Sequence, residues 1–425
     1  MAVAQSERSP IFSQPSLHSR GQRMAVESPA RIVIVGAGSI GIEAALYARF
    51  LGYKVTVLDS GDVGAHLRKW GHVRMFTPFR DNCTKLGKSA LAAQHQDLSL
   101  PLGDQYVTAG QYLEQYLQPL AESDLVADCV KRHHTVLSIA RSSQTKTENY
   151  GQPARSETPL VTLAKDEQGH EYVFESDIVL DCSGVGAQPN FIGGGGSPAV
   201  GELAARPYLE TGLIDAKGKD AKHYANQQIL VIGAGHSAAT NICQLSLLAR
   251  ETLETHVTWV TREGKADGQC GPVAVIEDDV LPQRKRMAVE ANRLLVDENG
   301  HLDHWPETTV KSIHYEPQNN HFHVTLDGKH SGVHTFDRVV ANVGYRPNLE
   351  MLHELQLDLC PNTEGTKSLI QPEPNFYILG SKSYGRDSSY LHGNGLDQIR
   401  RVFAIIGGRE SLDLYAEPPS SSNQA

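Results

Sequence analysis

The stretch Arg31-Ile32-Val33-Ile34-Val35-Gly36-Ala37-Gly38-Ser39-Ile40-Gly41 decides how the rest of the sequence is interpreted. Its β-branched run predicts a buried strand, and its glycines predict a tight turn into an Ala-rich helix. The first glycine makes the turn, the second lets backbone approach a pyrophosphate, and the third allows close helix–strand packing. The stretch therefore predicts a dinucleotide-binding βαβ unit.

A second copy of this pattern follows about two hundred residues later. The run Gln228-Ile229-Leu230-Val231-Ile232 leads into Gly233-Ala234-Gly235-His236-Ser237-Ala238, in which Ala238 replaces the third glycine. One such turn is weak as a signal, but two copies in strand–turn–helix context predict two different dinucleotides in one protein.

The residues after each fingerprint separate the two cofactors. The predicted strand Lys54–Leu58 ends at Asp59, a carboxylate that accepts hydrogen bonds from a ribose and repels a 2′-phosphate, so the first site suits FAD or NAD. The predicted strand His256–Val260 ends at Thr261-Arg262, and the arginine fork matches a phosphate, which favours NADPH. Alternatively, Arg262 is only a solvated strand end.

A second internal repeat supports two related modules. The segments Asp177–Gly184 and Asp337–Gly344 share an Asp, a β-branched run and a Gly, and each is followed by a Pro-Asn pair. Each segment is typical of a late strand that closes a nucleotide-binding sheet. One module inserted in the other accounts for this order.

Together these motifs resemble the two-dinucleotide-binding-domain flavoproteins, which include pyridine nucleotide-disulfide reductases and flavin-containing monooxygenases. The resemblance runs from about Arg31 to about Gly408. It implies FAD at the first site and NADPH at the second. The stretch Val63–Trp70 resembles the monooxygenase Gly-Gly-x-Trp segment that runs along FAD, although Ala65 replaces its second glycine.

The C-terminal quarter carries a further flavin signal. Residues 375–380 predict a buried strand that ends in Gly380-Ser381, where the family usually has Gly-Asp against the ribityl chain. A helix starting near Gly395, and containing Leu396, is expected to point its positive end at the flavin pyrimidine. An ordinary closing helix is the plain alternative.

The cofactor-binding residues expected on these grounds span both modules. For FAD and NADPH they are Gly36, Gly38, Ser39, Ile40, Gly41, Asp59, Ser60, Leu67, Trp70, Gly184, Gly233, Gly235, His236, Ser237, Ala238, Arg262, Gly344, Gly380, Ser381 and Leu396.

The loop from Trp70 to Arg80 mixes aromatic and cationic residues where the family has residues near the flavin ring. His66, His72 and Arg74 are therefore the candidate catalytic residues, able to bind an anionic substrate or stabilise a peroxyflavin. They are equally suited to holding the FAD pyrophosphate or its ribose.

The six cysteines are widely scattered, without a Cys-x-x-Cys or Cys-x4-Cys pair. The local dithiol relay of thioredoxin- and glutathione-type reductases is therefore missing from the sequence. Most of these thiols are expected in the core, with a flavin contact by Cys182 as the less favoured reading.

The composition of the chain restricts its possible partners and its expected location. The chain has 425 residues, 40% of them hydrophobic, and a net charge of −10 with both signs interspersed, which argues against nucleic acid or an anionic membrane as partner. It contains no apolar run of membrane-spanning length and no signal-peptide pattern, so a cytoplasmic protein is expected. His330 and His334 have metal-ligand spacing, but they follow the hairpin signal Asp327-Gly328, so no metal is expected.

The predicted fold class is α/β, with two Rossmann-like doubly wound domains and the NADPH domain inserted in the FAD domain. Its expected parts are a disordered extension (1–29), the FAD domain (30–204 and 335–415), the NAD(P)H domain (205–334) and a disordered tail (416–425). The favoured function is a flavin monooxygenase that acts with dioxygen on a small N- or S-nucleophile. A reductase without its own redox disulfide and a flavin-binding sensor remain alternatives, and a homodimer is left open.

Overall fold

The computed structural model describes residues 25–94, 99–266, 271–296 and 300–416. Most of the predicted N-terminal extension and nearly all of the predicted tail lie outside these ranges. The strands are β1 (Arg31–Val35), β2 (Lys54–Leu58), β3 (Val130–Lys131), β4 (Thr135–Arg141), β5 (Leu160–Lys165), β6 (Glu171–Ser176), β7 (Ile178–Asp181), β8 (Gln228–Ile232), β9 (His256–Val260), β10 (Leu302–Trp305), β11 (Thr308–Glu316), β12 (His321–Gly328), β13 (Gly332–Phe336), β14 (Arg338–Ala341) and β15 (Phe376–Ile378).

Helices cover one face of each of two sheets. They are α1 (Ser39–Phe50), α2 (Ala65–Lys69), α3 (Lys85–Gln94), α4 (Ala109–Tyr112), α5 (Gln118–Ala121), α6 (Glu202–Ala205), α7 (Ala221–Tyr224), α8 (His236–Glu251), α9 (Pro282–Arg293), α10 (Ser381–Tyr384) and α11 (His392–Ile406). A π-helical turn, Leu113–Leu117, joins α4 to α5.

The first sheet is parallel, with strand order β15-β7-β1-β2-β3. One core cluster lies between this sheet and helices α1 and α11. A second cluster fills the opposite face, beneath the antiparallel β4-β5-β6 meander. Because the strands are covered on both sides, they are nearly continuous apolar runs, as expected of a parallel sheet.

The second sheet repeats this design with strand order β10-β9-β8-β14, again parallel. Helices α8 and α9 cover one face, and the antiparallel β11-β12-β13 meander covers the other. The chain then returns to the first sheet through β15. The predicted fold class, two Rossmann-like domains with one inserted in the other, is thus confirmed.

The strand pairings move both predicted domain boundaries outward. Strand β14 pairs with β8, so residues 338–341 belong to the second sheet and not to the first domain. Gly193 and Val200 already form bridges to Val310 and Ser312 of β11. The inserted unit therefore begins before residue 205 and continues beyond residue 334.

One helical segment has an irregular interior, and one predicted helix starts earlier than expected. The segment that begins at Thr108 is helical, with a capping box between Thr108 and Gln111, but it contains the π turn. Helix α11 begins at His392 and not near Gly395, because the Asn394 side chain accepts a hydrogen bond from the Leu391 amide (2.9 Å). Among the helices of the described residues, none is long and apolar enough to cross a membrane.

Candidate functional site

The two fingerprint turns have the same backbone geometry. Gly36 and Gly233 adopt φ angles of 101° and 124°, which side chains rarely adopt. A Cβ on Gly36 would lie 2.8 Å from the Cys182 carbonyl oxygen, and one on Gly233 would overlap the Asn342 carbonyl. Each turn therefore requires glycine at its first position because the strand end beside it comes so close.

The second glycine of each turn faces open space instead. A Cβ on Gly38 or on Gly235 would have no heavy atom within 4 Å. Helices α1 and α8 start at the next residue, and neither has a side-chain cap at its N-terminus. The open space at each turn is a cradle that a side chain would fill. The amides of the helix that starts beside it can donate to an anion, so both turns fit a pyrophosphate.

The third position differs between the modules. A Cβ on Gly41 would overlap the Gly36 carbonyl, whereas Ala238 occupies the same position in α8 and is fully buried. Helix α1 therefore approaches its turn more closely than a side chain would permit.

Asp59 follows β2 and braces the first turn. One of its carboxylate oxygens accepts from the Ala37 amide (2.6 Å) and the other from the Gly61 amide (2.8 Å). Burial raises its pKa, while these two amides oppose the rise. Each oxygen keeps a second lone pair, so the group can still accept a hydrogen bond from a ribose hydroxyl.

A cavity of about 150 Å³ opens beside Asp59 at the carboxyl ends of β1, β2 and β7. This is the edge at which open α/β sheets bind their ligands. Four of the expected cofactor residues line it: Gly36, Asp59, Ser60 and Gly184. Further lining residues that sequence reasoning missed include His134, Ser183, Gln188, Asn348 and Met351.

The ends of β7 and β15 are joined by a buried ion pair. The ammonium of Lys382 lies 2.6 Å from Asp181 Oδ2, and both side chains are 0% exposed. Ser183 Oγ donates to Asp181 Oδ1 (2.6 Å) and accepts from Lys382 Nζ (3.1 Å). The sequence carried no local signal for this cluster, because 199 residues separate Lys382 from Ser183.

Gly380 and Ser381 lie close to the first fingerprint. Gly380 has a φ of 71°, and its amide donates to the buried side chain of Gln398 (2.8 Å). A Cβ on Gly380 would lie 3.3 Å from Ile40, and Ser381 Oγ would lie 3.4 Å from a Cβ on Gly184. The structure thus brings these expected residues together. Leu396 of α11 packs against the adjacent core cluster.

The start of α11 reaches the start of α1. His392 Nδ1 lies 3.4 Å from Ser39 Oγ, and the His392 ring makes an edge contact with Tyr112. Burial lowers the pKa of His392 to about 4, so its imidazole is neutral at pH 7. Sequence reasoning placed the helix in this region but did not single out His392.

The second fingerprint has its own side chains at the turn. His236 begins α8, and burial lowers its pKa, with the Arg284 charge adding to the effect. Arg284 pairs with Asp279 at 2.6 Å. Ser237 and Ala238 follow in α8, Arg262 is exposed after the end of β9, and Gly344 (φ 84°) is near the Asn190 side chain.

One segment, residues 64–76, contacts both fingerprints. The Gly64 amide donates to the Ala37 carbonyl (3.1 Å) in the first turn. At the other end of the segment, the Phe76 ring makes an edge contact with His236, with centroids 6.2 Å apart. Leu67 and Met75 pack against the first core cluster and hold the segment between these ends.

The candidate catalytic residues lie along this segment in different settings. His66 makes edge contacts with Trp70 and with Tyr345 of the inserted unit. His72 has a buried Nε2 atom without a hydrogen-bond partner in the described residues, and Arg74 is exposed. Arg80, in contrast, pairs with Asp104.

The described cysteines are all free thiols, and Cys270 lies outside the described residues. Burial raises the pKa of Cys182 well above its usual range and that of Cys83 to about 11, so both remain protonated. The pKa of Cys360 is lowered by hydrogen bonds from residues 362–363. The thiol nearest the first turn is thus an inert core residue.

The comparisons agree with this architecture. Residues 33–149 match the model of the family described as Pyridine nucleotide-disulphide oxidoreductase. No protein of curated function has a matching sequence.

Solved structures resemble nearly the whole chain. A bacillithiol disulfide reductase from Bacillus cereus has 16% identity and a TM-score of 0.65, over 89% of this chain and 99% of that one. The FAD-bound cadaverine monooxygenase of desferrioxamine biosynthesis from Erwinia amylovora has 11% identity and a TM-score of 0.64, over 93% and 98%. The reduced ornithine hydroxylase from Pseudomonas aeruginosa has 15% identity and a TM-score of 0.61, over 90% and 100%.

These likenesses show the fold of the chain. The chain has the fold of the two-dinucleotide-binding-domain flavoproteins, as its two fingerprints predict. The solved structures that share this fold include both disulfide reductases and monooxygenases.

Proposed function

We propose that the protein is an FAD-dependent oxidoreductase that uses NADPH. The observation that carries this proposal is the segment 64–76, which contacts the first fingerprint turn through Gly64 and the second through Phe76. Two dinucleotide sites joined in this way suit electron transfer from one cofactor to the other.

The residues of the first module fit FAD. The open cradle at Gly38, the α1 N-terminus, Asp59 and the adjoining cavity match a pyrophosphate followed by an adenosine ribose. Those of the second fit NADPH, with the cradle at Gly235 and the cation Arg262 after β9. When bound, NADPH would supply a hydride, and the flavin ring of FAD would supply the two-electron acceptor for it.

The protein's own contribution is to position the two cofactors and to shield them from water. Leu67 packs against the first core cluster and Phe76 contacts His236 at the second turn, so an apolar side chain lies near each turn, where it would limit the access of water to bound cofactors. The neutral imidazole of His392 lies at the N-terminus of α11, whose amides favour negative charge nearby. Because the ring carries no charge, it neither weakens nor strengthens the attraction of these amides for negative charge.

For the final acceptor, we propose dioxygen and a small nucleophile, which makes the enzyme a monooxygenase. The cysteines support this choice, because the thiol beside the first turn stays protonated and no Cys-x-x-Cys or Cys-x4-Cys pair occurs in the sequence. The likeness to a bacillithiol disulfide reductase favours a second candidate, a reductase that passes electrons to an external acceptor.

The oxygen reaction of the reduced protein separates the two candidates. The flavin is reduced anaerobically with NADPH, mixed rapidly with oxygenated buffer, and followed by its absorbance spectrum. A monooxygenase should reoxidise through a spectrally distinct intermediate, whereas a reductase should reoxidise without one and reduce quinones or disulfides rapidly. A protein that retains no FAD, or whose flavin NADPH does not reduce, would contradict the proposed function altogether.

A further inference from the structure

The inserted unit serves as an internal reference for the ion pair at Asp181. In the first sheet Val35 at the end of β1 pairs with Asp181, and in the second sheet Ile232 at the end of β8 pairs with Ala341. The two positions are therefore equivalent. Two residues further on, Ser183 of the first module corresponds to Val343 of the second. A nucleotide-binding sheet of this design thus closes without a carboxylate at this position.

Stability alone is a poor reason for the pair. Asp181 and Lys382 have side chains that are 0% exposed, so both charges have lost their hydration. Replacement of a buried ion pair by apolar residues of similar size is often neutral or stabilising. The second sheet, with Ala341, illustrates that the apolar solution is available to this fold.

The pair does have a defined effect on the Ser183 hydroxyl. Its proton is committed to Asp181 Oδ1 (2.6 Å), and one of its lone pairs is committed to Lys382 Nζ (3.1 Å). A hydroxyl has one proton and two lone pairs, so one lone pair remains. Ser183 can therefore only accept a further hydrogen bond.

The remaining lone pair belongs to a residue that lines the cavity beside Asp59. Asp59, as a carboxylate, also only accepts. Two acceptors on one wall suit a ligand that presents hydroxyl donors, such as the ribose or ribityl part of a dinucleotide, and do not suit a phosphate.

We propose that Asp181 and Lys382 are positioning residues that fix the Ser183 hydroxyl as an acceptor for a sugar hydroxyl of the dinucleotide bound at the first fingerprint. This inference rests on the proposed function, because it takes that dinucleotide to be FAD. Neither charged residue needs to touch the ligand, since both act through Ser183.

The test measures FAD affinity of the full-length protein after removal of its flavin. The variants are Ser183→Ala, the double variant Asp181→Ala/Lys382→Met, and the triple variant that combines them, with Ser183→Thr as the control that keeps a hydroxyl. FAD binding is followed by quenching of flavin fluorescence, and the melting temperature of the flavin-free protein is measured alongside.

Loss of one hydrogen bond should weaken FAD binding about five- to tenfold in Ser183→Ala. The double variant should show a similar loss, the triple variant no further loss, and Ser183→Thr little change. Unchanged affinity in the double variant, or losses that add in the triple variant, would overturn the inference.

Two results distinguish failure of the positioning role from misfolding of a variant and from failure of the proposed function. If the double variant does not fold, Ser183→Ala decides alone, because it leaves the ion pair in place, and unchanged affinity in that variant refutes the proposal. Failure of the unaltered protein to bind FAD would refute the proposed function itself, whereas normal binding by that protein with no effect of the variants refutes only the positioning role.

Discussion

The two Rossmann-like modules share a backbone plan but differ in the polar groups placed within it. Gly36 and Gly233 make the same turn, and Gly38 and Gly235 leave the same open cradle. Yet the first module buries charged groups where the second has neutral ones, as the pair Asp181 and Ala341 illustrates. The two modules thus share their backbone geometry and differ in the charged groups beside it.

The largest expected effect tests whether the two cradles have separate tasks. Gly38→Val should abolish FAD retention, since its side chain fills the space open to the pyrophosphate. Gly235→Val should leave FAD bound but prevent its reduction by NADPH. Flavin absorbance of the purified variants and anaerobic NADPH titration measure these outcomes. Loss of FAD in both variants would contradict the assignment of one cofactor to each turn.

A second contrast lies inside the two fingerprint helices. Seven residues beyond the first glycine, α1 carries Glu43 and α8 carries Thr240, both buried. Thr84 Oγ1 donates to Glu43 Oε2 (2.9 Å) and the Tyr116 hydroxyl donates to Oε1. Burial nevertheless raises the pKa of Glu43 to about 7.

This raised pKa predicts a pH-dependent stability that Thr240 does not supply. The folded state keeps the Glu43 proton up to about pH 7, whereas the unfolded chain releases it near its ordinary pKa of 4.5. The contribution is therefore complete below pH 4.5 and is lost as the pH rises to 7, by about 3 kcal/mol in the free energy of unfolding.

The difference between the unaltered protein and Glu43→Gln, measured by urea unfolding from pH 5 to pH 8, isolates this contribution. His392, whose lowered pKa gives the opposite trend, is present in both proteins and cancels. Thr240→Val is the matched control in α8, and its difference from the unaltered protein should not vary with pH. Parallel pH curves for Glu43→Gln and the unaltered protein would show that Glu43 is ionised when folded.

The strand ends after the fingerprints carry opposite charges, Asp59 and Arg262. Arg262→Ala should reduce the preference for NADPH over NADH in flavin reduction by about 1–3 kcal/mol, the range for a lost charged hydrogen bond. The ratio of kcat/KM for the two nucleotides measures it, with the nearby Lys265→Ala as control. Equal use of NADPH and NADH before mutation would show that Arg262 is only a surface cation.

The smallest expected effect, that of Ala238→Gly, concerns the third fingerprint position. Gly41→Ala should destabilise the first module, because the added Cβ meets the Gly36 carbonyl. Ala238→Gly should cost only about 1 kcal/mol, the difference in helix propensity. Thermal unfolding compares the two variants. A tolerated Gly41→Ala would mean that α1 can move away from its turn as α8 does.

Sequence reasoning predicted the parts that depend on local patterns. Both turns, the strands that precede them and β2, β9 and β15 were confirmed, since glycine spacing and β-branched runs are local signals. The start of α11 was misplaced by three residues because a side-chain cap at Asn394 is hard to distinguish from a loop. The boundaries of the inserted unit were placed too far inward, since only strand pairing assigns residues 338–341 to a sheet.

The candidate site residues also divide into those that local sequence patterns predict and those that depend on distant segments. The fingerprint residues and Asp59 were predicted from spacing, and the structure places them at one edge of each sheet. Sequence reasoning did not single out Ser183, Lys382 or His392, although Ser183 lies within the repeat Asp177–Gly184. Their contacts join segments far apart in the chain, for which a single sequence holds no spacing rule.

The sequence by itself thus determined two Rossmann-like modules, because a turn of fixed glycine geometry is encoded within a few neighbouring residues. Only the tertiary structure decided that Asp181 and Lys382 form a buried pair and that residues 64–76 contact both turns. The physical reason is the separation along the chain between the residues that interact. Backbone conformation follows from adjacent residues, whereas the cost of a buried charge and the direction of a hydroxyl proton depend on groups that only folding brings within a few ångströms.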